Sequence, residues 1–489
     1  MKPYTRKQFI KLTTAAGAAF YLAACGMGVG KKKETSDSSA GKKTVPSAEV
    51  TNKPAPATHL DLADSTDPRY NELRQGFNKR IDKHPKVIAV CTNTDEVAAA
   101  VRYAKENGLP IAVKSGGHNM EGFSCNDGGM VINLSKMNKV QLTGDNLTAG
   151  PGCRLGDLYD VILPKGRVLP AGSCGTVGLG GLALGGGYGL FARKYGFTCD
   201  HLLSATMVDG NGNVHNTKDD AELLWALKGG GTGGFGIVTE MEFATHPAPP
   251  TLQAHYFKTR KLDAERAAAI LQIWMQLMQQ LPASCFSGFV LNGSTLNILV
   301  TNYEPDDNKL PDLLAQLSKV TDEFKSSKVN PLERMLRNYY GRKGPVYFRN
   351  SSAGYFKDYN DVAPFIKDIF AKTIATPGMI YQVNTLGGKI KDADYEKLSA
   401  YPHRAFDFVS ELQGYCDSAA QEGRIAATTT EVLKITADHG ITRQYVNYCS
   451  LQFDNWETAY YGTGYPRLQA IKRKYDPDNS IQHPQSVKG

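Results

Sequence analysis

The stretch Ala171-Gly172-Ser173-Cys174-Gly175-Thr176-Val177-Gly178-Leu179-Gly180-Gly181, running on to Gly185-Gly186-Gly187-Tyr188-Gly189, carries the decision about fold. Glycines this dense let backbone lie flat against something large. Gly178-x-Gly180-x-x-Ala183, followed by Asp200, has the spacing of a Rossmann-type dinucleotide fingerprint. Its context argues otherwise: no apolar strand precedes it, and the glycines at 185–187 disfavour a helix N-terminus there. Upstream, Val113-Lys114-Ser115-Gly116-Gly117-His118-Asn119 places paired glycines after a short apolar run. Backbone N–H groups in such a loop can approach a pyrophosphate, and His118 would be held beside the same ligand. On its own the loop is a weak signal, and a lone histidine such as His118 is more often a satisfied structural residue.

Around these loops the pattern is α/β. Strands are expected at 87–90, 111–113 and 130–134, with a helix capped by Thr94 and stopped by Gly108 and Pro110. Asp209-Gly210-Asn211-Gly212 signals a hairpin between strands at 202–208 and 214–216. A helix over 220–228 precedes an alternating strand through Ile237, Thr239, Met241 and Phe243. Pro247, Pro249 and Pro250 mark a boundary. From 251 to 440 glycine thins, and helices such as 264–281 alternate with strands such as 286–291 and 295–301. After Gly440 the chain is again rich in glycine and aromatics. The expected organisation is therefore a first domain over 59–250, a second over 251–440, and a return to the first over 441–489.

The chain has 489 residues, is 41% hydrophobic and carries a formal net charge of +8, enough for a large core in two or three folding units. Part of the positive excess lies in an N-terminal tail with Lys31, Lys32, Lys33, Lys42 and Lys43. No aromatics interleave with them, so a solvated tether is expected and no nucleic-acid partner. Residues 1–25 read as an export signal: Arg6 and Lys7, a short apolar run, then Leu22-Ala23-Ala24-Cys25, which resembles a lipoprotein cleavage box and would place a lipid on Cys25. Thr5-Arg6-Lys7-Gln8-Phe9 resembles a twin-arginine signal with Lys7 for the second arginine; a general secretory signal is the alternative. Residues 26–58 read as a flexible linker. The expected location is outside a bacterial cytoplasm, anchored to a membrane. The scattered histidines and the cysteines, without a CxxC pair, give no metal spacing.

Together the two glycine loops resemble the berberine-bridge-enzyme-like branch of the vanillyl-alcohol-oxidase flavoproteins. The match extends through Tyr188-Gly189, Leu224-Trp225-Ala226-Leu227-Lys228-Gly229-Gly230-Gly231, Phe235-Gly236-Ile237-Val238, Tyr445-Val446-Asn447-Tyr448 and His483-Pro484-Gln485-Ser486. The resemblance implies an α+β, PCMH-type FAD-binding domain in two subdomains, with a substrate domain built on an antiparallel sheet covered by helices. It implies FAD bonded twice, at its 8α methyl by His118 and at C6 by Cys174. It assigns flavin contacts to Lys114, Ser115, Gly116, Gly117, Asn119, Met120, Thr176, Val177, Gly178, Gly181, Gly185, Gly186, Tyr188, Gly236, Ile237, Val238, Tyr445 and Asn447.

The resemblance also implies an oxidase. It would act on a hydroxyl-bearing carbon of a sugar, oligosaccharide or other alcohol and pass electrons to O2, giving H2O2. Tyr448 would take the hydroxyl proton, although a free tyrosine, with a pKa near 10, is a weak base for neutral pH. Relatives assist it with an aspartate; the matching position here is Asn384, which cannot accept a proton as a carboxylate does. Tyr381, Gln382 and Gln413 are expected to face substrate or else to form the polar face of a sheet. Met120 and Leu182 stand where relatives tend to have an aromatic residue and a histidine, so the sequence leaves the substrate open. Val177 would border an oxygen pocket and leave room for O2. A dehydrogenase using another acceptor and a non-catalytic flavin-bearing protein are the alternatives.

Overall fold

The computed structural model describes residues 59–304, 308–341 and 344–489. The export signal, Cys25 and the linker lie outside the described residues.

The chain first builds two small sheets. One contains β1 (Leu62–Ala63), β2 (Val87–Val90), β3 (Ile111–Lys114) and β4 (Met130–Asn133), in the order β1-β2-β4-β3. β2, β4 and β3 are parallel, and all four residues of both β2 and β4 are buried, as expected of strands covered on two faces. Helix α1 (Thr94–Glu106) crosses over between β2 and β3. Its N-cap is Asn93, one residue before the expected Thr94. The Asn93 side chain accepts from the Glu96 N–H, while Thr94 turns inward and pairs its hydroxyl with Thr239 at 3.0 Å.

The second sheet is antiparallel: β5 (Val140–Thr143), β6 (Asn146–Ala149), β8 (Leu202–Val208), β9 (Val214–Asn216) and β10 (Ile237–Ala244), ordered β5-β6-β10-β8-β9. The β8–β9 hairpin turns on 209–212, with Gly212 at φ +80°. A two-residue strand, β7 (Arg167–Val168), pairs with β11 (His246–Pro247). Between them Leu179–Leu184 forms a short helix, α2, whose N-cap is Gly178. By the sequence pattern, the glycines that follow it disfavour a helix N-terminus there. They end it instead, at Gly185, and Gly186 and Gly187 take positive φ in the turn beyond.

The third layer is a large sheet: β12 (Thr251–Thr259), β13 (Cys285–Asn292), β14 (Thr295–Asn302), β15 (Glu323–Ser326), β16 (Asn330–Pro331), β17 (Phe348–Phe356), β18 (Met379–Thr385) and β19 (Phe408–Tyr415). Its main path runs β15-β12-β14-β13-β18-β19-β17, with every pairing antiparallel, and β16 adds to β12. Helices α3 (Ala264–Met278), α4 (Ile366–Ala375) and α5 (Ala419–Asp438) cover one face. Trp274 on α3 is fully buried there and donates to Ser287 Oγ at 2.9 Å. The opposite face carries Gln382, Asn384 and Glu411. The C-terminal segment then returns to the first sheet: Ile111 N–H donates to Ser480 O, and Gln482 N–H to Ile111 O.

Candidate active site

One cavity of about 310 Å³ is lined by residues from all three sheets, both glycine loops and the C-terminal segment. The glycine loops interlock behind it. A Cβ on Gly116 would stand 2.3 Å from Gly178 N, and one on Gly178 would stand 2.3 Å from Ser115 Oγ. Real Cβ atoms are not found so close to other atoms, so this approach requires glycine on both sides. The result is a wall of bare backbone along the cavity, a surface against which a flat ligand can lie.

His118 and Cys174 both line that cavity, as do Ser115, Gly116, Gly117, Asn119, Met120, Val177, Gly178, Gly181, Tyr188, Gly236, Ile237, Val238, Tyr445 and Asn447. The His118 ring stacks on Phe77, centroids 4.1 Å apart at 18°. Burial lowers its pKa to about 3, with Arg154 adding to the effect and the Thr176 backbone opposing it. The imidazole is therefore neutral at physiological pH, with a ring nitrogen free to act as nucleophile. Cys174 Sγ lies 3.7 Å from Thr176 Oγ1.

Four expected flavin contacts fall off the cavity wall. Lys114 points away and donates to the carbonyls of Leu73 and Gln75, both at 2.6 Å. Its pKa falls to about 8 because burial opposes its charge. Thr176 acts through the hydrogen bond of its backbone to His118. Gly185 and Gly186 serve packing: a Cβ would meet Asn447 Oδ1 at 2.1 Å and the Tyr401 ring at 2.8 Å. Asp200, the ribose ligand of the discarded Rossmann match, is buried in an ion pair with Arg404.

Tyr448 closes a short turn over the cavity, its hydroxyl 2.7 Å from that of Tyr188. Asn384 donates to Tyr188 OH at 2.9 Å, Gln382 to Asn384 Oδ1 at 3.0 Å, and Gln413 to Gln382 Oε1 at 3.4 Å. Asn384 thus bonds Tyr188, and its amide orients that hydroxyl by donating to it. Tyr381 is corrected. Side chains alternate along a strand, so Tyr381 faces the helices and meets Phe370 edge-on, while Gln382 and Asn384 reach the cavity.

The carboxylate that the sequence lacked at position 384 comes from the next strand. Glu411 is the register partner of Gln382, is fully buried and lines the cavity. Asn350 donates to its Oε2 at 2.9 Å. Desolvation pushes its pKa up to about 7, against the lowering effect of Asn350, Gln413 and Tyr448. The signal was present as Glu411 on an alternating strand, but only the β18–β19 register puts it beside Tyr448.

Residues 85–218 match the family model of an FAD binding domain, and residues 444–488 that of the berberine and berberine-like segment. The chain is 30% identical to a chitooligosaccharide oxidase of Gibberella zeae over 451 residues, 86% of this chain and 90% of that protein. It is 29% identical over 440 residues to the FAD-linked oxidoreductase YgaK of Bacillus subtilis, covering 86% and 95%. Among solved structures, Physcomitrella patens BBE-like 1 matches with a TM-score of 0.81 at 23% identity, covering 88% of this chain and 96% of that one.

Proposed function

The chain belongs to the berberine-bridge-enzyme-like FAD-linked oxidoreductases, and from that membership we propose an oxidase that removes hydride from a hydroxyl-bearing carbon of a sugar or other alcohol. His118 and Cys174 would hold the FAD covalently, His118 at the 8α methyl and Cys174 at C6. Once bound, the flavin would supply the hydride acceptor, with O2 as the proposed electron acceptor and H2O2 as the product. The observation that carries the reading is the joining of Tyr448, Tyr188 and Glu411 at the cavity that also holds His118 and Cys174.

Asn384 donates to Tyr188, which leaves the Tyr188 hydroxyl to donate to Tyr448. Tyr448 is then free to pass its own proton to Glu411. A tyrosinate forming at Tyr448 is stabilised by the Tyr188 donor, and the proton rests on a carboxylate whose pKa near 7 suits neutral conditions. Tyr448 takes the substrate hydroxyl proton as the C=O bond forms. Val177 lines the cavity as a short branched residue and leaves space for O2. The export signal and Cys25 complete the reading: a lipid-anchored enzyme outside the cytoplasm keeps a flavin it could not replace there.

The test is anaerobic mixing with alcohols and sugars. Substrate should bleach the flavin, and air should restore its colour with release of H2O2. Tyr448→Phe should slow bleaching by about 10²-fold or more while leaving flavin attachment intact. A normal bleaching rate in Tyr448→Phe would remove Tyr448 from the mechanism.

A further inference from the structure

We propose that the large sheet positions both flavin-bonding residues: Tyr340 sets Cys174, and Phe348, acting through Phe77, sets His118. The proposal rests on the reading of His118 and Cys174 as the points of covalent attachment.

Both residues stand on loops outside the large sheet, yet each is backed from it. Gly175, next to Cys174, donates its N–H to Tyr340 O at 2.9 Å and accepts from the Gly156 N–H at 2.9 Å. The Tyr340 ring lies against Gly175, where a Cβ would stand 2.9 Å from Tyr340 Cγ. Its buried hydroxyl makes no hydrogen bond among the described residues, so the contact is made by the ring.

His118 is backed by a stack of rings. Phe77 lies 4.1 Å from it, Phe348 meets Phe77 edge-on at 6.1 Å, and Tyr415 stacks on Phe348 at 6.1 Å. Phe348 opens β17 and is the register partner of Tyr415 on β19, the strand that also carries Glu411. Backbone bonds tie the stack together: the Phe77 N–H donates to Gly117 O at 2.8 Å, and the Val346 N–H to Phe77 O at 3.0 Å. Tyr340, Val346 and Phe348, all on the approach to β17, thus reach both attachment points.

Attachment breaks a flavin C–H bond and the N–H of His118, or the S–H of Cys174, and forms a C–N or C–S bond. Two electrons and two protons pass to O2, giving one H2O2 for each bond. The attacking atom must stand about 3–3.5 Å from its carbon, and a shift of about 1 Å can cost about 10²-fold in rate. Glycine-rich loops resist displacement little on their own. Tyr340 and Phe77 supply the packing they lack. Flavin is therefore bonded once the large sheet has docked and Glu411 is in place.

The experiment adds FAD to full-length apoprotein in air. After timed acid quenching and proteolysis, the His118-linked and Cys174-linked flavin peptides are counted separately by mass spectrometry. Tyr340→Ala should slow the Cys174 bond by about tenfold or more and the His118 bond by less than about twofold. Phe348→Leu should do the reverse, as should Phe77→Leu, which leaves β17 untouched. Tyr340→Phe keeps the ring and should attach flavin at the normal rate. Equal slowing of both bonds by Tyr340→Ala and by Phe348→Leu would mean general loss of folding and overturns the proposal. Unchanged rates overturn it too, as does a Tyr340→Phe variant that behaves like Tyr340→Ala. Acid release of all flavin from the unmodified protein overturns the covalent reading itself and the proposal with it.

Discussion

Glu411, the carboxylate proposed to serve Tyr448, is buried at a cost in stability. Its folded pKa, about 7, is raised above the usual carboxylate value. Between those two values the unfolded chain loses its proton and the folded chain keeps it, so stability falls as pH rises through that window and the loss is complete above about 7. Glu411→Gln removes the penalty. Its unfolding free energy should exceed that of the unmodified protein at pH 8 by at most about 3 kcal/mol and match it at pH 4, measured by chemical unfolding. The same change should slow flavin reduction by about 10²-fold and abolish the rise of rate with pH around neutrality. A variant that gains neither stability at pH 8 nor a flat pH profile would show Glu411 to be unconnected with the reaction. At the other end of the cavity, His118→Ala or Cys174→Ala alone should leave flavin bound after acid precipitation. The double change should release it. Complete release from the unmodified protein would rule out covalent attachment.

At the scale of elements, what matters is where backbone must approach backbone. The loops at 115–118 and 174–181 meet through Gly116 and Gly178, neither with room for a methyl group. Gly178→Ala should displace the Ser115–His118 loop and lose more than 1 kcal/mol of stability, the range of core overpacking. It should also slow covalent attachment of added FAD to apoprotein, a readout that general destabilisation would not share if Gly108→Ala attaches normally. Gly108 is a fair control because its φ of +63° strains an alanine there, yet the position faces open space. On the large sheet, alternation divides β18 into a helix-facing set with Tyr381 and Val383 and a cavity-facing set with Gln382 and Asn384. A shift of one residue would exchange the two sets.

Over the whole molecule, buried charge ties the layers together. Asp200, ahead of β8, pairs with Arg404, ahead of β19, with side chains 0% and 2% exposed. Arg404 also donates to Ile390 O and Ser399 Oγ. Arg404→Met leaves the Asp200 charge buried and unpaired, and should cost about 3–5 kcal/mol. Loss of both charges, in Arg404→Met with Asp200→Asn, should recover much of that, measured by chemical unfolding. A single variant as stable as the parent would mean that water reaches Asp200. The chain as a whole is also proposed to sit on a membrane through Cys25. Cys25→Ser should move the exported protein to the soluble fraction or leave its leader uncleaved. Unchanged processing and partitioning would leave Leu22-Ala23-Ala24-Cys25 without a role.

Local chemistry made much of this protein legible from its sequence. Glycine density announces a backbone surface for a large ligand, because only glycine permits such approaches, and His118 and Cys174 stand within those runs. The strands and helices follow from apolar periodicity and turn residues, which are local signals. Other features depended on tertiary structure. Lys114, Gly185 and Gly186 lie in the glycine-rich segments, yet their neighbours in space make them structural. The partner of Tyr448 was unreadable at Asn384, since the carboxylate arrives from an adjacent strand through register. A register is fixed by the packing of a whole sheet, and so is the pKa of Glu411, which depends on the desolvation that packing imposes.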